Sequence, residues 1–238
     1  YLEYTVKEVP DKTAFTSDEA SLTFQDLYDQ SRNIGSFLCH SQISRKPVVV
    51  FMQKTPQAIA AYLGVIYAGC FYVALDEEMP RHRIELIVQT IGADAVICDS
   101  VTKALISGYG YEGCVYDYDT ISRSGIDEEQ LQAVREQQTD MDPIYAVFTS
   151  GSTGIPKGVL ACHRSVIDYG ENLSQVLSFD RDTVFGNQAP FYFDAALKEI
   201  LPTLKFGAST WIIPKSLFMF PIKLVEYLLV LFIILLEK

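Results

Sequence analysis

Ile144-Tyr145-Ala146-Val147-Phe148-Thr149-Ser150-Gly151-Ser152-Thr153-Gly154-Ile155-Pro156-Lys157-Gly158 joins an apolar run to a loop of glycines, hydroxyls and one lysine. An apolar run of strand length ahead of such a loop predicts a buried strand over 144–148, and 149–158 reads as a Gly-rich loop. Gly151, Gly154 and Gly158 let the backbone approach an anion and adopt positive φ, so that amide N–H groups converge on it. Thr149, Ser150, Ser152 and Thr153 add hydroxyl donors, and Lys157 adds a mobile positive charge. The combination suits a polyphosphate that must be gripped and then released. It is not a Walker A loop, because Pro156 stands five residues after Gly151 and Gly158 follows Lys157. The spacing is not Gly-x-Gly-x-x-Gly either. A flexible Ser/Gly linker is the other reading, but linkers seldom follow a buried strand directly or end in Pro-Lys-Gly.

Outward from this loop, apolar runs of strand length alternate with helical periodicity, the pattern of a βα-repeated, layered α/β fold. Upstream, Thr23 reads as an N-cap with Asp26 as its partner, ahead of a helix with Phe24, Leu27, Ile34 and Leu38 on one face. Strands are expected over 48–50, ending near Met52, and over 71–75 and 93–98. Between them lie a helix with Thr55 as cap and Pro56 first, closing near Gly69, and one from Pro80 to Gly92. Residues 107–128 are irregular, with a short strand over 114–118, and 127–137 reads as an exposed acidic helix. Downstream, helices are expected over 165–178 and 195–206, the latter ended by Gly207, with strands over 183–186 and 209–213.

The chain has 238 residues, with 19 Lys plus Arg against 30 Asp plus Glu, a formal charge of −11. That balance argues against nucleic acid or an anionic membrane as partner, without excluding a nucleotide pocket. A hydrophobic share of 49% with 14 Tyr and 14 Phe excludes a disordered chain. The five cysteines form no Cys-x-x-Cys pair, and His40, His82 and His163 lack metal-ligand spacing, so neither disulfides nor a metal site are expected and the compartment reads as reducing and cytoplasmic. No signal peptide follows Tyr1, and without an initiator Met the sequence is expected to be processed or partial.

The loop Thr-Ser-Gly-Ser-Thr-Gly-x-Pro-Lys-Gly resembles the signature of the adenylate-forming superfamily, which includes acyl-CoA synthetases, luciferases and the adenylation domains of peptide synthetases. Three further segments resemble the family in order: Leu22-Thr23-Phe24-Gln25-Asp26-Leu27; Ala68-Gly69-Cys70-Phe71-Tyr72-Val73-Ala74-Leu75-Asp76, followed by Pro80 and Arg83; and Phe193-Asp194-Ala195-Ala196. Ala74 replaces a usual Pro and Ala196 a usual Ser. The last segment is similar to the amino-acid-activating branch, the peptide synthetases and D-alanine carrier-protein ligases. The resemblance covers residues 1 to about 227 and implies the N-terminal part of the large subdomain of such an enzyme.

It implies a two-step ligase that joins a carboxylate to the α-phosphate of Mg-ATP, releases pyrophosphate, and passes the acyl group to a phosphopantetheine thiol on a carrier protein. By the same resemblance Thr149, Ser150, Gly151, Ser152, Thr153, Gly154 and Lys157 hold the β- and γ-phosphates, with Thr149 and Lys157 the catalytic pair. Asp194 would pair with the α-ammonium of an amino acid, and Phe193 would pack by its carboxylate. Asp is also a common helix N-cap and Asp194 sits just before a predicted helix, but with Phe193 before it the substrate role is favoured, and the two can coexist. Lys198, one turn on, falls where the family lines its side-chain pocket, although a lysine on a helix is also simply exposed. His163 has no proton to remove in carboxylate attack on ATP and reads as a structural or pocket-wall histidine, with Cys162 a small buried neighbour.

The Tyr-Gly-Pro-Thr-Glu element with its Mg-binding Glu, the ribose-binding Asp, the hinge and the C-terminal catalytic Lys of the family are not found after Gly158. The expectation is therefore a partial N-terminal AMP-binding domain over 1–227, unable to turn over alone, with its Mg2+ ligand beyond the chain. Residues 228–236 are uninterruptedly apolar and account for the positive mean hydropathy of +0.14. A surface helix should keep a polar face. Counted from Leu224 the run is still below the roughly 20 residues that cross a bilayer, and it includes Glu226. Residues 228–238 thus read as an aberrant tail from a truncated gene or shifted frame. An acyl- or aryl-CoA ligase fragment, and a non-catalytic membrane-associated product, remain as alternatives.

Overall fold

The computed structural model describes residues 1–149 and 156–236. Helix α1 (Leu2–Glu8) precedes the hairpin β1 (Thr13–Thr16) and β2 (Ser21–Thr23), and α2 (Phe24–His40) follows directly. Alternation then sets in: β3 (Pro47–Phe51), α3 (Pro56–Tyr67), β4 (Phe71–Leu75), α4 (Arg81–Ile91), β5 (Ala95–Cys98), α5 (Ser100–Ser107) and β6 (Cys114–Asp117). The short α6 (Tyr118–Ile121) and α7 (Glu128–Gln137) lead to β7 (Pro143–Thr149), β8 (Lys157–Cys162) and α8 (His163–Val176). The described chain closes with β9 (Val184–Asn187), a 3-10 turn (Asp194–Ala196), α9 (Leu197–Phe206), β10 (Ser209–Ile212), a second 3-10 turn (Lys215–Met219) and α10 (Pro221–Leu236).

The strands form two sheets, β2-β1-β10-β9 and β6-β5-β3-β4-β7-β8. In the larger one every pairing from β6 to β7 is parallel, and β8 runs antiparallel at the edge. In the smaller one β1, β10 and β9 are parallel. Side-chain alternation along β3 assigns the layers. Val48 and Val50 face a core shared with Phe15 of β1, Leu27 of α2, Ile59 of α3 and Ile212 of β10. Val49 and Phe51 face a second core with Ile84 and Ile87 of α4 and Ile106 of α5. Helices α2, α3 and α9 therefore lie between the sheets, and α4 and α5 cover the outer face. A strand buried on both faces needs a continuous apolar run, which is what 48–51 supplies. Each such side chain contributes roughly 1.5–3 kcal/mol by leaving water.

The sequence-derived starts and stops have physical counterparts. The Thr23 side chain accepts from the Asp26 N–H while Asp26 accepts from the Thr23 N–H, a complete capping box on α2. Gly92 and Gly207 end α4 and α9 in the left-handed region, at φ 62° and 72°. Thr55 takes the N-cap position of α3 but its hydroxyl makes no capping bond, so Pro56 is the effective start signal.

Other expectations are corrected. The loop ends before Lys157, because Lys157 and Gly158 pair with Thr149 and Phe148 as the start of β8. That strand was hidden because Val159 and Leu160 are both exposed, at 59% and 57%, so no in-out alternation marks it. Helix α8 begins at His163 and ends at Val176, two residues earlier at each end than its periodicity suggested. Pro221 opens α10, as suits a first-turn proline. Helix α10 continues through Tyr227 to Leu236, and among the described residues no helix is long and apolar enough to cross a membrane.

Candidate nucleotide and substrate site

Parallel strands present all their carboxyl ends on one edge, where open α/β sheets bind ligands. Lys54, just beyond β3, ties that edge of both sheets together: its Nζ donates to the carbonyls of Asn187 and Gln188 at 3.1 Å each, beyond β9, and of Ile213 at 3.4 Å, beyond β10. Burial, then the nearby Lys215 charge, pulls the Lys54 ammonium down to about 8, with Glu199 and Asp76 opposing. Lys215 is itself disfavoured as a cation by burial, but its ion pair with Asp76, just after β4, outweighs this and holds it protonated. The Asn187 amide donates to Glu199 at 3.1 Å, and burial raises the Glu199 carboxyl against that bond. Asn187 Oδ1 and Glu77 Oε2 are buried without partners among the described residues. Sequence reasoning missed this cluster. Its one signal was a lysine two residues after the apolar run 48–52.

The loop is anchored at the same edge. Thr149, the last residue of β7, lies opposite Lys157, the first of β8, and both are exposed. An antiparallel pair closed at these residues holds the two ends of the intervening segment at hydrogen-bonding separation. Arg83 Nη2 donates to the Phe148 carbonyl at 3.2 Å and fixes the strand just before Thr149. Gly158 differs from its expected use. Its φ is not positive, and a Cβ there would lie 3.0 Å from the Phe148 ring, so close packing explains the glycine. The expected phosphate-binding Ser150, Gly151, Ser152, Thr153 and Gly154 lie outside the described residues.

Phe193 and Asp194 sit beyond β9, where the chain turns into α9. Phe193 is 46% exposed, with its ring 4.7 Å from that of Tyr192. Asp194 is exposed and its side chain makes no capping bond; Phe193 occupies the N-cap position of the 3-10 turn instead. Both residues line a small pocket with Tyr72, Tyr145, Val147 and Phe191. Since Val147 is two residues before Thr149 on β7, one strand brings the two candidate halves of the site together. Burial raises the Tyr145 hydroxyl, and the Asp194 charge adds to the effect. Lys198 is exposed on α9 and does not line this pocket.

His163 starts α8, by the amino ends of β4 and β7 and so away from the loop edge. Burial lowers its imidazole below the usual range, leaving it neutral near pH 7, and Nε2 is buried without a partner among the described residues. Cys162 is partly exposed, not buried, because β8 is an edge strand. Among the described residues no group of three or more His, Cys, Asp or Glu is placed to hold a metal.

The chain is 28% identical over 230 residues to a D-alanine--D-alanyl carrier protein ligase of Staphylococcus haemolyticus (strain JCSC1435), covering 93% of the chain and 43% of the relative. It is 32% identical over 202 residues to the ligase of the same name from Staphylococcus aureus (strain Newman), covering 85% and 39%. The chain thus spans less than half the length of these curated relatives. A solved four-domain nonribosomal peptide synthetase bound to AMP and glycine matches with a TM-score of 0.80 at 25% identity, over 95% of this chain and 16% of that one. The model of the family described as "AMP-binding enzyme" matches residues 2–231. This extent of match makes the chain a member of the AMP-binding enzyme family.

Proposed function

We propose that the protein to which this chain belongs activates an amino-acid carboxylate with ATP as an aminoacyl-adenylate and passes it to the phosphopantetheine thiol of a carrier protein. The observation that carries this reading is the Thr149–Lys157 register, which anchors a hydroxyl- and glycine-rich segment beside the strand that reaches the Asp194 pocket. The names of the carrier-protein ligases and the glycine-bound synthetase support the choice of an amino acid and a carrier.

Carboxylate attack on the α-phosphate needs alignment of a weak nucleophile with a highly charged centre and neutralisation of the departing pyrophosphate. Lys157 and the loop hydroxyls and amides, Thr149 to Gly154, supply that neutralisation. Asp194 receives the α-ammonium, a charge-assisted contact that a plain carboxylic acid cannot make. Phe193 packs against the substrate carboxylate. Residues 1–227 act as the partial adenylation domain and 228–238 as an appended apolar tail, in a cytoplasmic protein whose Mg2+ ligand lies on other residues.

Titration with Mg-ATP followed by pyrophosphate exchange tests the reading. Lys157→Ala is expected to weaken Mg-ATP binding roughly 10-fold or more, since a charge-assisted contact is worth about 1.5–3 kcal/mol, with the fold unchanged because Lys157 is exposed. Equal ATP affinity in wild type and variant would refute the phosphate role. Substantial amino-acid-dependent exchange by the 238-residue chain alone would refute its dependence on further residues. Exchange driven by plain carboxylic acids, unaffected by Asp194→Ala, would turn the assignment towards an acyl-CoA ligase.

A further inference from the structure

A sizeable cavity lies away from the loop. About 830 Å3 in volume, it lies against the amino ends of β4 and β7, between α3, α8 and α9. Helical spacing creates its walls: Ile59, Leu63 and Ile66 form one stripe of α3, and Leu197, Leu201 and Leu204 one stripe of α9. Protein interiors are close-packed, and a space of this size forfeits many dispersion contacts when nothing fills it. Its volume is within the roughly 300–1,000 Å3 usual for small-molecule sites.

The polar groups in the wall define the occupant. His163 lines the cavity, but its Nε2 is fully covered and does not open onto it. The hydroxyls of Tyr62, Tyr67, Tyr72 and Tyr145, which also line it, make no hydrogen bond among the described residues. By contrast the charged groups at the rim are matched, Arg32 with Glu128 and Arg135 with Glu3. A ligand with a single N–H or O–H would find free phenol oxygens to accept it. Flat rings are favoured, because Tyr62 and Tyr72 already stack at 4.5 Å and 21°, with Tyr145 5.8 Å from Tyr72.

We infer that this cavity is a second binding site, separate from the nucleotide edge, for an uncharged aromatic small molecule carrying one N–H or O–H donor. The tyrosine stack divides it from the pocket of Phe193 and Asp194, since Tyr62, Tyr72 and Tyr145 line both. The site does not depend on the adenylation chemistry proposed above.

N-phenyl-1-naphthylamine, neutral with two aromatic groups and one N–H, is a direct probe. Its fluorescence is expected to rise to saturation at one molecule per chain, with no displacement by Mg-ATP. Leu201→Trp fills the cavity and is expected to abolish binding; the milder Leu63→Phe, should the first variant fold poorly, is expected to weaken it at least fivefold. Tyr67→Phe keeps the shape without the hydroxyl and is expected to weaken binding about fivefold to tenfold, in line with one lost bond. The exposed apolar face of α10 is the competing location, so the double variant Ile222→Lys, Leu229→Lys should bind as wild type does. Loss of binding in that double variant overturns the inference, as does binding that never saturates or ignores the cavity-filling variants. Binding to this chain but not to a longer natural form also overturns it, because polypeptide then fills the space.

Discussion

Lys54 shows how one side chain can join two sheets at a cost. Its ammonium donates to carbonyls beyond β9 and β10, yet burial and Lys215 pull it down to about 8. A base lowered in the folded state is protonated in the unfolded chain and neutral in the folded one between pH 8 and its unfolded value near 10.5. The unfolded state then holds the extra proton, so stability rises with pH through that window. Urea unfolding at pH 7.5, 8.5 and 9.5 is expected to show wild type gaining stability relative to Lys54→Met as pH rises. Partial exposure of the amine makes the gain smaller than the whole shift would give. A difference between the two proteins that stays constant across the series would show that Lys54 does not titrate there.

At the scale of elements, α2 and α3 pack through glycines. A Cβ on Gly64 would lie 2.6 Å from Ile34 Cβ and 3.0 Å from the Ser31 carbonyl, and one on Gly35 2.7 Å from Tyr67 Cβ. Ser31 Oγ, which donates to the Leu27 carbonyl at 2.6 Å, is brought by the close approach to 3.2 Å from the Ala60 carbonyl. Gly64→Ala should gain about 1 kcal/mol of helix propensity but lose roughly 1–3 kcal/mol to overpacking. Net destabilisation in chemical unfolding is therefore expected, and a stabilised variant would mean the helices separate freely. Thr23→Ala removes the side chain at the centre of the α2 capping box and is expected to cost about 1 kcal/mol, read from the same unfolding curves. The box was legible in the sequence as Thr23 and Asp26 three apart. The glycine contact was not, because two helices far apart along the chain must meet before a glycine becomes a spacer.

Across the whole molecule, buried tyrosines set the alkaline limit. Burial raises the hydroxyls of Tyr62, Tyr67, Tyr72 and Tyr118 above their usual range. An acid raised on folding keeps its proton when the unfolded chain has lost it, so stability falls as pH climbs above the unfolded value near 10. Unfolding by urea should need progressively less denaturant above pH 10, with the phenolate absorbance of the buried tyrosines, the part beyond that of the exposed ones, appearing together with loss of structure. Complete ionisation of all tyrosines ahead of unfolding would show that these rings are open to solvent in the native state.

Local pattern by itself determined the alternation of strands and helices, the caps at Thr23, Gly92 and Gly207, and the loop that begins at Thr149, because each depends on residues close in the chain. Resemblance carried by short motifs added the family. Tertiary structure alone decided the rest: the split into two sheets, the pairing that turns Lys157 from a loop residue into the first residue of β8, and the Phe148 ring that requires Gly158. It also decided the Lys54 clamp and the cavity between α3, α8 and α9. These features arise between segments distant in sequence, where neither periodicity nor spacing records which faces will meet.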